Sequence, residues 1–209
     1  MELIIFLPLL LFSVILHEVA HGVAALKQGD ETALISGRLT LNPLPHIDLI
    51  GSVVFPALCI VMHLPAFGWA KPVPINPNRF HRYRTGVVLV SLAGPLTNVL
   101  IAIFFLGMLY FFGLKMNWAN QFPFLSHFFS QAILLNLVLA VFNLIPIPPL
   151  DGSRVLSVLL PHPFVSYYEA LEPYGFFILM ALVSLGVLGR TLYPVVYAIY
   201  SVMLGSIGY

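Results

Sequence analysis

The stretch SVILHEVAHGVA, Ser13 to Ala24, places two histidines and a glutamate inside an otherwise apolar run. His17, Glu18 and His21 spell H-E-x-x-H, and on a helix residues four apart share a face. Both imidazoles can therefore reach one metal ion while Glu18 stands beside its open coordination position. Such a site suits zinc, which takes two histidines, a third protein ligand and a water whose lowered pKa makes it a nucleophile. Glu18 would accept that water's proton and pass it to a leaving amine. Random placement of the 7 histidines and 5 glutamates over 209 positions gives the pattern roughly 0.006 times, so coincidence is a poor account of it. Ionisable side chains in an apolar span are costly and by default mark function.

A third ligand must come from elsewhere in the chain. The longer zinc motif H-E-x-x-H-x-x-G-x-x-H is excluded, because Ala24 and Lys27 stand where it needs glycine and histidine. His63, His81, His127 and His162 lie without a second polar partner nearby in sequence and read as surface or interfacial residues, and Glu169 and Glu172 read as facing water. His46 and Asp48 are secondary candidates. Asp151 stands apart, in NLIPIPPLDGSRV (Asn143–Val155), where an apolar helix is broken by Pro146, Pro148 and Pro149. Irregular backbone at membrane depth is tolerated where it lines a protein cavity, and such a break can aim Asp151 at the metal. The competing role for Asp151 is N-cap of a helix starting at Gly152. Asn98 and Asn143, amides in apolar segments on either side of the site, can bind the substrate's scissile carbonyl or backbone, or bridge helices as polar glue.

The elements that must position these residues are membrane spans. The chain is 60% hydrophobic and 8% charged, with a mean hydropathy of +0.98, well outside the balance of a soluble domain. A net charge of +1 offers no basic surface for nucleic acid. Cys59, the single cysteine, reads as a small buried thiol. Four segments are long enough to span about 30 Å of hydrocarbon: 3–26, 86–113, 128–147 and 174–207, the last open to division near LGRTLYP. The opening run lacks a basic flank and a cleavage site and reads as a retained span. Leu49–Leu64 is shorter and reads as a short span or re-entrant element. Ile35–Asp48 alternates and predicts a short membrane-associated β-strand or hairpin element whose edge could add an extended peptide, the other reading being an interfacial loop. The expected fold is an all-α polytopic transmembrane bundle with that β element, one domain over 1–209.

Lys71, Arg79, Arg82 and Arg84 in the proline-rich 67–84 stretch predict a cytoplasmic loop. His17 lies about 15 Å along a helix from Lys27, so a cytoplasmic Lys27 end puts the site nearer the cytoplasmic face of the cell membrane.

HEVAH, LDG at 150–152 after its proline-rich approach, and AGPLTN (Ala93–Asn98) between them resemble the site-2 protease family of intramembrane zinc metalloproteases. GRLTLNPLPHID and FGWAKPVPINP are similar to its compact prokaryotic branch, which lacks PDZ and CBS domains. The resemblance implies that His17, His21 and Asp151 bind one Zn2+ per chain and that Glu18 is the catalytic acid/base. It also implies a membrane-protein substrate with a single-span helix, cut within or near the bilayer. The alternative reading is a transporter using His17, Glu18, His21 and Asp151 as a transient ion site, against which stands the lack of repeated halves.

Overall fold

In an apolar solvent every backbone polar group must be satisfied within its own segment, so an apolar chain of this kind folds as helices. A computed structural model describes residues 2–62, 69–116 and 121–207, and the chain there is helical with no strand among the described residues. The order is α1 (Glu2–Lys27), α2 (Thr32–Ile35), α3 (Phe55–Val61), α4 (Tyr83–Met108), α5 (Pro123–Asn143), α6 (Asp151–Leu159), α7 (Phe164–Glu169), α8 (Gly175–Ser184) and α9 (Val187–Ser206). Wider helical turns over Leu49–Val54 and Leu109–Lys115 lead into α3 and extend α4.

Four helical stretches are long and apolar enough to cross a membrane: Phe6–Lys27, Tyr83–Gly113, Pro123–Asn143 and Val187–Ser206. The chain is thus a multi-pass membrane protein. All four differ in their bounds from the expected spans, the third and fourth most. The third begins at Pro123, a good first helical residue, and stops at Asn143 because Pro146 and the prolines after it cannot continue a helix. The last run divides at Gly186, whose φ of +69° breaks α8 from α9. The 49–64 run forms a helical element through Val61 and is too short to span; His63 and Leu64 lie outside the described residues.

The expected β-strand or hairpin at Ile35–Asp48 is not there. Ile35 ends α2, and residues 36–43 are turn, bend and irregular backbone. Side chains compete for the backbone in this stretch: Thr40 Oγ1 accepts from Asn42 N at 3.1 Å, and Asn42 Oδ1 accepts from Leu44 N at 3.1 Å. The alternation at 35–41 comes from turn chemistry, not from a pleated ribbon.

The bundle is centred on α4, which packs against both α1 and α5. Ala25 of α1 meets Val87 and Val90 of α4 and Phe80 before it. Ala102, Leu109, Phe129, Ile133, Leu137 and Val196 form the core between α4, α5 and α9, and Leu9 of α1 packs on Ala132 and Leu135 of α5. Outward-facing Leu7, Leu96, Leu100, Phe104 and Phe111 are exposed in the bare chain, as a surface bathed in lipid tails requires. A smaller cluster of Leu150, Leu179 and Leu188 fixes the start of α6 against α8 and α9, and so sets the position of Asp151.

Candidate metal centre

On α1, His17 and His21 stand one turn apart with their rings edge-on, 4.6 Å between centroids. Asp151 reaches them from the first residue of α6, across the break between α5 and α6. Its Oδ2 lies 3.2 Å from His17 Nε2 and 3.3 Å from His21 Nε2, while the two Nε2 atoms are 3.0 Å apart. Among the described residues this is the group of three potential metal-ligating side chains that converges. Asp151 does not cap α6: the N-cap is Leu150, without a side-chain cap bond. The helix start can press this close to the end of α5 because residue 152 is glycine; a Cβ there would run into the backbone carbonyl of Leu144.

The protonation of both rings follows from what lies behind them. Asn136 Nδ2 donates to the Ala132 carbonyl at 2.9 Å, which turns Asn136 Oδ1 toward Asn98. Asn98 Nδ2 donates to that oxygen at 3.0 Å, so Asn98 Oδ1 faces His17 Nδ1 at 2.6 Å. A carbonyl oxygen cannot donate, so His17 Nδ1 carries the proton. His21 Nδ1 likewise donates to the Val90 carbonyl at 2.7 Å. In its neutral form a ring protonated at Nδ1 presents a bare lone pair at Nε2. Two such nitrogens and a carboxylate oxygen, all within 3.3 Å of each other, repel unless a cation sits among them. Asp151 Oδ2 is buried and accepts no hydrogen bond.

This donor set fits zinc. Bonds of about 2.0–2.1 Å in a tetrahedron put donors about 3.3–3.4 Å apart, close to the three separations above. The outer hydrogen bonds from His17 and His21 are those that orient imidazole ligands in metal sites. Gly94 of α4 makes the room: a Cβ there would stand 2.5 Å from His17 Nε2 and also collide with His21 Nε2. Sequence reasoning missed Asn136, fully buried and joined to Asn98; its signal was an amide in an apolar helix, seven residues before Asn143 on the same face.

Glu18 lies beside the centre, its Oε2 accepting from Val73 N at 2.8 Å. Glu18, His17, Asn143, Trp69, Phe176 and Arg154 are among the residues lining an apolar cavity of about 530 Å³. Asn143 is half-buried and donates to Leu139 O at 2.9 Å. Asn98 is fully buried, with both ends of its amide engaged inside the protein, and it too lines that cavity. His46 and Asp48 take other roles: His46 Nε2 bonds Thr40 O at 2.9 Å, and Asp48 caps the helical turn after it by accepting from Gly51 N at 2.7 Å. A second cleft of about 220 Å³, lined by Tyr83, Ser153, Arg154, Glu169 and Glu172 among others, shares Pro149 and Arg154 with that cavity.

The family model of peptidase family M50 matches residues 117–182. The protein named "Putative zinc metalloprotease YwhC" of Bacillus subtilis (strain 168) is 42% identical over 176 residues, covering 83% of this chain and 77% of that protein. "Putative zinc metalloprotease Rip2" of Mycolicibacterium smegmatis is 31% identical over 190 residues, 90% of this chain and 69% of its own. Zinc metalloprotease MJ0392 of Methanocaldococcus jannaschii is 28% identical over 152 residues, 73% of this chain and 33% of that protein. No solved structure gives a significant match.

Proposed function

Since the chain belongs to peptidase family M50, the site-2 protease family, and is a metalloprotease, we propose that it is an intramembrane endopeptidase holding one zinc ion on His17, His21 and Asp151. The observation that carries this reading is the convergence of two imidazoles of a span-forming helix with the Asp151 carboxyl group, Glu18 alongside. A zinc ion bound there supplies Lewis acidity, lowering the pKa of a water and polarising the scissile carbonyl. Glu18 takes the proton from the attacking water and gives it to the leaving amine nitrogen. Asn98 keeps the His17 ring in the ligating tautomer, backed by Asn136. Asn143, with one N–H given to Leu139, retains a second N–H and its carbonyl for the substrate backbone.

The apolar cavity suits side chains of a substrate's single-span helix, which must unwind locally because helical hydrogen bonds shield the scissile carbonyl. Hydrolysis consumes water, and the second cleft, which shares Pro149 and Arg154 with the cavity, supports a route for it. The protein works in the cell membrane as one domain, with the centre nearer the cytoplasmic face; the basic residues 71–84 support that side. Cysteine labelling that puts positions 40 and 75 on opposite faces would refute the topology.

The test is metal analysis of purified protein beside cleavage of a panel of single-span proteins, for wild type and Glu18→Gln. The expected result is zinc in both and cleavage in the wild type alone. Zinc-free wild type, or a Glu18→Gln protein that cuts normally, overturns the assignment.

A further inference from the structure

The segment WAKPVPIN, Trp69 to Asn76, has no helix or strand of its own and meets α1 at Glu18. Two of its residues, Pro72 and Pro74, have no N–H, and each biases the residue before it toward extended backbone. Between the prolines stands one donor, Val73 N, and it goes to Glu18 Oε2 at 2.8 Å across 55 residues of sequence.

The register of this segment is set by other bonds. Trp69 N donates to Gly51 O at 3.1 Å and Ser52 Oγ to Trp69 O at 2.9 Å; Lys71 N donates to His46 O at 2.9 Å and Asn76 N to Asp30 Oδ2 at 2.7 Å. Arg38 is buried, with 7% of its surface exposed, and among the described residues it has no carboxylate partner. Its Nη2 donates to the carbonyls of Lys71 at 2.6 Å and Pro72 at 3.2 Å, next to Val73. A guanidinium withdrawn from water and given to two main-chain oxygens fixes backbone position. The buried Val73 side chain packs over Gly22 of α1, where an added Cβ would stand 3.1 Å from Val73 Cγ1.

We propose that Trp69–Asn76 is a positioning strap for Glu18, with the Val73 N–H as its contact and Arg38 as its clamp. The inference rests on the reading of Glu18 as general base. A glutamate's terminal torsion is broad, so an unheld carboxylate samples orientations that miss the reacting atoms. One oxygen tied to a backbone N–H stops that rotation and leaves Oε1 to take the proton. The flanking prolines remove neighbouring donors that would compete for the same oxygen. Ångström-scale misplacement of a reacting group carries a large rate penalty, so a main-chain donor locked by six other hydrogen bonds is an effective holder.

The experiment compares Val73→Pro, which deletes the N–H, with Val73→Ala, which trims the side chain and keeps it, in the full-length zinc-loaded protein. Val73→Pro should lower kcat about tenfold or more with zinc content as in wild type and KM within about twofold. Val73→Ala should recover most of that loss, and Arg38→Gln should lower kcat in the same way as Val73→Pro. Amide exchange in metal-free protein gives a readout independent of turnover. From residue 71 to 76 only four amides exchange, so Val73 is resolved, and Glu18→Ala should speed its exchange about tenfold or more. A Val73→Pro protein with wild-type or raised kcat overturns the strap, the raised value marking a lid instead. Exchange at Val73 that ignores Glu18 overturns it even where Val73→Pro fails to fold. A wild type that binds no zinc and cuts nothing defeats the general-base reading, while the exchange result still reports separately on the strap.

Discussion

Replacing Gly94 by alanine should abolish metal binding while leaving the bundle assembled. The added Cβ would stand 2.5 Å from His17 Nε2 and 2.6 Å from His17 Cε1, and would also collide with His21 Nε2. Relief to an ordinary contact of about 3.4 Å requires a displacement of about 0.9 Å. Metal–ligand distances tolerate about 0.2 Å, several times less. The rings cannot slide away independently, because His17 is tied to Asn98 and His21 to Val90, both on the helix that carries residue 94. Either both outer bonds stretch or α4 retreats from α1, and each disperses the three donors. The assay is zinc per chain by elemental analysis after purification without chelator, with circular dichroism and thermal unfolding in detergent as controls. Gly107→Ala, on the same helix with nothing within 4 Å of its Cβ, is the matched control and should keep wild-type zinc. Gly94→Ala protein that holds as much zinc as the control would refute the assignment of His17, His21 and Asp151 as the ligand set.

Asn98→Ala should weaken zinc binding about 10–100-fold, the usual effect of removing an outer hydrogen-bond partner, and competition with a chelating dye measures it. Asn136→Ala should act in the same direction by a smaller amount, since His17 keeps its direct acceptor; an effect on affinity equal to that of Asn98→Ala would contradict the relay. Asp30 is fully buried and ties the end of α1 to residue 76 through Asn76 N at 2.7 Å and both Thr32 donors. Burial pushes its carboxyl up, but those donors and then Arg79 hold it below its ordinary 3.8. With the folded value depressed, its contribution is complete above that ordinary value and is lost as pH falls through the lower one. Asp30→Asn should therefore destabilise by about 1–3 kcal/mol at pH 7, with the gap from wild type closing below about pH 4; thermal unfolding in detergent across pH checks it, and a gap that widens in acid would contradict the sign.

What could be read from the sequence divides by range. HEVAH is legible because a helix puts residues four apart on one face, so local spacing alone aims both rings the same way. Asp151 was legible only with its proline-rich approach and the family resemblance, since spacing carries no information across the intervening helices. The spans were legible from apolar length, yet their ends moved to where Pro123, the 146–149 prolines and Gly186 fix them. Residues 35–41 alternate like a strand, and the Thr40 and Asn42 side chains override that pattern by bonding the backbone locally. Val90 was beyond reach for a different reason: it acts through its carbonyl, which every residue type possesses. Val73 acts through its N–H and is equally silent, although the prolines that isolate it are plain in WAKPVPIN.

The centre is divided between the first span and a helix that follows the third. A ribosome feeding this chain into a bilayer delivers His17 and His21 early, and Asp151 only after two further crossings have been laid down. Until then the early pair lacks its third donor, and the Asn98 and Asn136 relay behind His17 is incomplete as well. On the proposed assignment the nascent enzyme is harmless to its neighbours in the translocon, and its cutting ability switches on with the completion of its own insertion.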